Sequence, residues 1–451
     1  MGYRDLRKKY PRFEYVKYHS QIEKNDLVLT YEYNISKQFN FQHKVAISIH
    51  EDAKHRIQNP EFENMVFHLG LAEMFSYWKA TCSPIIDIKA GFLDEEQTIW
   101  WKDLLVNGMG QYFYENKIDF TTTGFINITS SGKRFNGNLI HVEGEKTLVP
   151  IGGGKDSVVT LQTLLNRNMA DAVLIINPTT SYSAKIAEKS GVVKTIMALR
   201  KIDPKLLKLN SLGFLNGHIP YSNILFFISL VAAYLNGYKN IPFSNEKSSD
   251  EENIKYLNKS INHQYSKTFE FENKFRDYNQ KFISNIDLFS FLRPIYDLQV
   301  AKIFSKQEKY FGTFRSCNVG QQVGVWCCSC PKCLSTFILL FPFLGPKKIL
   351  EVFPHSLYED ERLTLLLDAL ILENRVKPFE CVGTREELKV GLFLSLKNYS
   401  GGNLPKILEF AKKKYLTDSK YLEKKTEEIF ANWDGNNNLT PEFSKVLKKE
   451  I

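Results

Sequence analysis

The chain of 451 residues has no strong excess of one charge: 59 basic against 50 acidic side chains leave +9. Its lysines gather mainly in helical stretches toward the C-terminus rather than on one face, so no nucleic-acid partner is expected. A long apolar run is also missing. The strongest, Ile224–Leu235 (ILFFISLVAAYL), falls short of the roughly 20 residues that cross a bilayer. It reads instead as a buried helix covering a sheet. The opening MGYRDLRKKYPRFEY carries no apolar signal region, and Leu6 stands where a myristoylation signal needs Ser or Thr. A cytoplasmic protein without a membrane partner is expected. In that compartment the seven cysteines are not expected to pair as disulfides. Internal repeats and long low-complexity linkers are absent as well. What remains is a chain with 43% apolar residues, enough to fill the cores of two or three domains.

Three regions differ in pattern. Residues 1–145 mix strand-like and aromatic segments and hold no nucleotide motif. Val28–Tyr33 and Thr122–Thr129 alternate like half-buried strands, and Phe67–Lys79 and Glu95–Leu105 read as helices. This stretch is expected to form an N-terminal α+β domain. In residues 146–345 short apolar runs alternate with amphipathic ones. Thr147–Ile151, Asp171–Asn177 and Val192–Ala198 read as strands; Asp156–Asn166 and Ala184–Lys189 read as helices, the second closed by Gly191. Strands separated by single helices predict an α/β core with a doubly wound parallel sheet, which binds its ligand outside the carboxyl ends of the strands. Past Gly345-Pro346, residues 346–451 are charged and mostly helical, and are expected to pack on that core.

The turn Gly152-Gly153-Gly154-Lys155-Asp156-Ser157 follows a buried strand and opens a helix. Its glycines permit a tight turn with exposed N–H groups, and the helix start adds positive potential, which together make an anion cradle. Lys155 offers a charge and Ser157 a hydroxyl. Asp156 after Lys155 does not fit the Walker A loop, and Ser157 does not fit the third glycine of a dinucleotide fingerprint. A carboxylate beside a triphosphate needs a bridging divalent cation, so Mg²⁺ is expected with the nucleotide.

Five of the seven cysteines lie in Ser316–Cys333 (SCNVGQQVGVWCCSCPKC). Cys327, Cys330 and Cys333 have C-x-x-C-x-x-C spacing, with Cys317 upstream, and four thiolates suit a tetrahedral structural Zn²⁺. The same spacing occurs at iron–sulfur clusters, and it also allows reduced cysteines that hold nothing. Cys328 leaves open which of two neighbours would be the ligand.

The glycine loop resembles the Ser-Gly-Gly-x-Asp-Ser loop of the PP-loop ATP pyrophosphatases, over residues 147 to about 200, with Gly152 in place of the leading Ser. That resemblance implies ATP as substrate, cleaved to AMP and pyrophosphate. A narrower resemblance runs nearly end to end. The pieces FHLGLAEMFSYWKA (67–80), GMGQYFYENKIDF (108–120), VPIGGGKDSVV (149–159), NGHIPYSN (216–223), SNEKSSDEEN (244–253), NHQYSKTFEFE (262–272), WCCSCPKC (326–333) and CVGTREEL (381–388) are similar, in this order, to the MurL-type UDP-N-acetylmuramoyl-L-alanyl-L-glutamate epimerases. It implies ATP-dependent epimerisation of the terminal L-glutamate of a UDP-linked muramoyl dipeptide in peptidoglycan precursor synthesis. Adenylation would replace the α-carboxylate by a neutral mixed anhydride, which makes the α-proton far more acidic.

Candidates for moving that proton must titrate near neutral pH, which points to His218 and His263. Lys267 and Arg315 suit phosphate or the glutamate side-chain carboxylate. Glu246 suits Mg²⁺ or ribose. Two rival readings are an amidating or nitrile-forming ligase related to 7-cyano-7-deazaguanine synthase, and a nucleotide-sensing zinc protein that binds ATP without releasing pyrophosphate. The long N-terminal region weighs against the first, and a pyrophosphate-release assay separates the second.

Overall fold

The computed structural model describes residues 2–50, 53–177, 182–320 and 324–451. Twelve strands occur among them: β1 Arg12–Glu23, β2 Asp26–Ile35, β3 Phe39–Ser48, β4 Ile85–Ile88, β5 Asn127–Ser130, β6 Leu148–Pro150, β7 Ala172–Ile176, β8 Thr195–Lys201, β9 Asn240–Phe243, β10 Ile254–Tyr256, β11 Lys259–Ile261 and β12 Asp287–Ser290. Eight form one sheet in the order β5-β4-β1-β2-β3-β8-β7-β6. β1, β2 and β3 are an antiparallel meander, and β6, β7 and β8 are parallel. The two systems meet where β3 pairs antiparallel with β8, from Lys44↔Lys201 to Ile47↔Ala198. The sheet therefore runs without a break through the expected boundary at residue 145.

β9 and β12 form a parallel pair, and a parallel bridge Thr147↔Asn240 sets β9 beside β6. Across this half of the molecule the strands read β8-β7-β6-β9-β12. Numbered within the segment, that is 3-2-1-4-5, the doubly wound order whose switch point lies between β6 and β9. Period-2 alternation divides each strand between two cores. Leu148, Leu174 and Leu288 face one, with helix Tyr221–Asn236 and the N-terminal region. Val149, Val173, Ile175 and Phe289 face the other, with helices Lys155–Leu165, Asp297–Phe304, Pro331–Lys348 and the C-terminal helices. A strand buried on both faces loses the polar half of its alternation, as apolar β7 shows.

Most predicted elements stand near their expected places, including the buried helix at Tyr221–Asn236, which packs against helix Phe62–Trp78. Two strands differ. The strand expected at Thr122–Thr129 is found at Asn127–Ser130, because residues before it turn through Gly124 at positive φ. The strand expected at Val192 starts at Thr195, after Gly191 has closed the preceding helix. Among the described residues one helix, Pro331–Glu351, is apolar and long enough to cross a membrane by composition alone. It is mostly buried within the protein and broken at Gly345.

Candidate active site

β6 ends at Pro150, and the chain then turns through Gly152 and Gly153 into helix Lys155–Leu165. Gly153 has φ +91°, a backbone region costly for any residue with a Cβ. Gly154 is the N-cap, so the first N–H groups of the helix are free to meet an anion. The loop borders a cavity of about 460 Å³. Its wall comes from the carboxyl ends of β6, β7 and β9 (Ile151, Asn177, Ser244), with Lys267, Arg315 and Lys332 adding positive charge. The cavity thus lies at the switch point of the parallel strands, where the fold leaves a crevice.

Under the loop, buried Lys155 is paired with both Asp156 and Asp297. Burial alone would lower the Lys155 ammonium, and the two carboxylates overcome this and raise it. Lys155 is therefore a charge already committed to the protein, holding the loop down. Ser157 Oγ donates to Gly154 O at 2.9 Å, closing the first turn. Asp297 opens helix Asp297–Phe304, with its N–H donating to Ser248 Oγ at 3.0 Å. Glu387, in the C-terminal region, accepts from Leu298 N at 2.9 Å.

Glu246 is buried beyond the end of β9. Burial, then the charges of Asp297 and Asp156, raise its carboxyl to about 8. These groups face one another closely enough to repel, and a proton or a divalent cation would relieve that repulsion. Arg293 is buried behind Glu246 and fixes the local backbone, donating to Glu246 O at 3.0 Å and also to Lys267 O.

Arg315 lines the cavity, and its N–H donates to Gly153 O at 2.9 Å. Its guanidinium carbon lies 5.2 Å from the Tyr182 ring centroid, and its Nε has no hydrogen-bond partner among the described residues. His218 and His263 do not line the cavity. Their ring centroids are 4.3 Å apart, and His263 Nδ1 is 2.6 Å from Gln111 Oε1. Burial, followed by neighbouring positive charge that includes Lys267, lowers both, His263 to about 3. Lys79 stands beside this pair, lowered by burial and then by Arg200 to about 8, and donates to Gly217 O at 2.9 Å.

The sulfur atoms of Cys317, Cys327, Cys330 and Cys333 all lie within 4.8 Å of one another. Backbone N–H groups of Gly320, Cys327 and Cys333 point at the sulfurs, at 3.1–3.4 Å. Such a set suits a metal bound by thiolates. Cys328 is turned away by a left-handed backbone (φ 57°), and its Sγ lies 3.6 Å from Trp326 O. Of the two neighbours, Cys327 is the one whose sulfur stands in this group. The segment stands beside the cavity: Ser316, Asn318 and Lys332 belong to the wall.

The structure thus brings Gly152, Gly154, Asp156, Ser157, Lys267 and Arg315 to one cavity, with Lys155 and Glu246 beneath it. Sequence reasoning did not single out Asp297, Lys332, Asn177 or Glu387. A Thr384-x-x-Glu387 capping box was visible, yet its second task at Leu298 N depends on tertiary packing.

With this geometry in place, comparison with known families decides the lineage. The family model for the MurL N-terminal domain matches residues 4–291, and that for the MurL C-terminal domain matches residues 313–418. The chain belongs to the MurL family. Three relatives carry the name UDP-N-acetyl-alpha-D-muramoyl-L-alanyl-L-glutamate epimerase. The one from Xanthomonas oryzae pv. oryzae is 33% identical over 337 residues, 72% of this chain and 72% of that protein. The relative from Salinispora tropica is 35% identical over 257 residues, 56% of each chain. A third, from Micromonospora sp., is 30% identical over 307 residues, 67% of this chain and 68% of its own. Both MurL segments contribute to the cavity, the first through the glycine loop and Lys267, the second through Arg315 and Lys332.

Proposed function

We propose that this chain epimerises the terminal L-glutamate of UDP-N-acetylmuramoyl-L-alanyl-L-glutamate, using ATP to activate its carboxylate and releasing AMP and pyrophosphate. The observation that carries the reading is the glycine loop opening a helix at the β6/β9 switch point, inside a cavity walled by Lys267, Arg315 and Lys332. This is a place for a polyphosphate next to a carboxylate, in a chain whose relatives are named as epimerases of that dipeptide. The parallel strand order and the loop support a PP-loop ATPase core.

The glutamate α-carboxylate would attack the α-phosphorus of ATP, and pyrophosphate would leave from the loop. The free N–H groups at Gly154 and Lys155 and the cations of the wall stabilise the charge that develops. With the carboxylate masked, the α-proton can be removed and one returned to the other face. His218, His263 and Lys267 are the groups proposed to handle proton and charge at that step. Water then cleaves the mixed anhydride to give AMP and the D-glutamyl product.

Asp156 and Glu246, with Asp297 nearby, are the residues that would hold Mg²⁺, and their mutual repulsion fits such an ion. Bound there, it would screen the phosphates from these carboxylates. Cys317, Cys327, Cys330 and Cys333 would hold a structural Zn²⁺ that pins the wall segment.

Turnover in D₂O tests the reading. Deuterium should enter the glutamate α-carbon of the D product, with one AMP and one pyrophosphate formed, only when ATP and Mg²⁺ are present. Mass spectrometry with chiral analysis of the glutamate measures both. Rapid AMP formation with unlabelled, all-L glutamate would rule out epimerisation and favour a ligase.

A further inference from the structure

The segment CVGTREEL at 381–388 meets the cavity wall through its first residue, which touches Lys267 from behind. Cys381 is half-buried, with Sγ 3.1 Å from Lys267 Nζ. Among the described residues no carboxylate lies within ion-pair distance of that ammonium; its partner is the thiol. Lys267 itself lines the cavity, as does Lys332. An ammonium whose partner is sulfur favours the thiolate, the reactive form of cysteine. Burial alone would raise the Cys381 thiol, but the charges of Lys267 and then Lys332 prevail and lower it, against a smaller opposing effect of Asp156.

The histidine pair sees the same Lys267 with the opposite consequence. Its charge helps to keep His218 and His263 neutral and weakly basic. Proton removal from carbon follows the strength of the base, so a nitrogen with a pKa of about 3 has little pull on an α-proton. One lysine thus weakens the imidazoles and strengthens the sulfur as proton acceptor.

We propose that Cys381 is the catalytic base that takes the α-proton from the activated glutamate, with Lys267 as its positioning residue. The proposal rests on the epimerase reading above. The thiolate sulfur takes the α-hydrogen as a proton: the Cα–H bond breaks, an S–H bond forms, and the electron pair moves toward the carbonyl oxygen as an enolate. The returning proton comes from water on the opposite face of the enolate. The Cys381 thiol gives its proton up to the hydroxide so formed, and the cycle balances without an oxidant.

Cys381→Ser keeps the shape and removes the thiolate. In the full chain with ATP, Mg²⁺ and the UDP-muramoyl dipeptide in D₂O, α-deuteration and D-glutamate formation should fall by at least about 100-fold, with AMP and pyrophosphate still formed. A variant that labels within about threefold of wild type overturns the assignment alone. So does equal loss of ATP cleavage and labelling in a variant that melts like wild type. A wild-type chain that cleaves ATP without labelling removes the epimerase reading, and this proposal with it. Cys381→Ala is the second variant. If neither folds, iodoacetamide and peptide mass spectrometry on the wild-type chain decide. Loss of labelling in step with Cys381 alkylation supports the base, and full labelling with Cys381 alkylated overturns it.

Discussion

At the scale of single residues, the loop glycines differ in what a side chain would meet. A Cβ on Gly154 would stand 3.3 Å from Ser316 Oγ at the cavity edge, while one on Gly152 meets nothing within 4 Å. Gly154→Val should therefore fold yet lose pyrophosphate release by on the order of 100-fold, because its branched carbons occupy the anion's place. Gly152→Ser should change stability by no more than about 0.5 kcal/mol, and it adds the hydroxyl that the PP-loop pattern carries there. Parallel melts and pyrophosphate assays check both. Glu246 makes a pH prediction. Its carboxyl is raised from 4.5 to about 8 on folding, so the folded chain keeps a proton that the unfolded chain has lost. That contribution is complete below pH 4.5 and disappears as pH rises through about 8. Glu246→Gln should flatten this part of the stability curve, measured by denaturant melts across the range. A variant with the same slope as wild type would remove Glu246 as its source.

The cysteine hairpin and the helix it opens form the element most open to test. Cys330 is the N-cap of helix Pro331–Lys348, accepting from Cys333 N, and that helix carries Lys332 into the wall. A metal here would fix the wall through the helix, contributing on the order of 10 kcal/mol to folding. The purified chain should hold about one Zn²⁺, as expected for a four-thiolate site. Cys330→Ser should lose both the metal and much of the thermal stability, read by metal analysis and calorimetry. Wild-type protein free of zinc after chelator-free purification would refute the site. Elements also varied in how far they could be read. The strand–loop–helix at Leu148–Leu165 was plain because glycines punctuate it. β2 is buried on both faces, so alternation marked only part of it. Nothing in the sequence of β3 says that its second edge will pair with β8.

For the whole molecule, that pairing joins the N-terminal region to the parallel strands that carry the glycine loop in one sheet. Residues 146–451 alone would leave β8 with an open edge and helix Tyr221–Asn236 without its partner Phe62–Trp78. Such a fragment should aggregate or melt without cooperativity. A monomeric fragment with a sharp calorimetric transition would instead favour independent domains. The C-terminal region is joined no less closely, since Glu387 holds the helix that begins at Asp297, and Cys381 reaches Lys267.

Local pattern by itself determined the glycine loop, the neighbouring strands and helices, the buried helix at Tyr221–Asn236 and the cysteine group, because each rests on spacing along a few residues. It could not say whether the sulfur of Cys327 or of Cys328 joins the group, since a left-handed backbone angle at Cys328 turns the latter away. Nor could it place Asp297 under Lys155 or Cys381 against Lys267, positions 142 and 114 residues apart in the chain. Those meetings depend on which sheet edges pair and which faces are buried. The tertiary structure alone decided them, because the charges at this site take their chemistry from neighbours that the chain supplies only once it has folded.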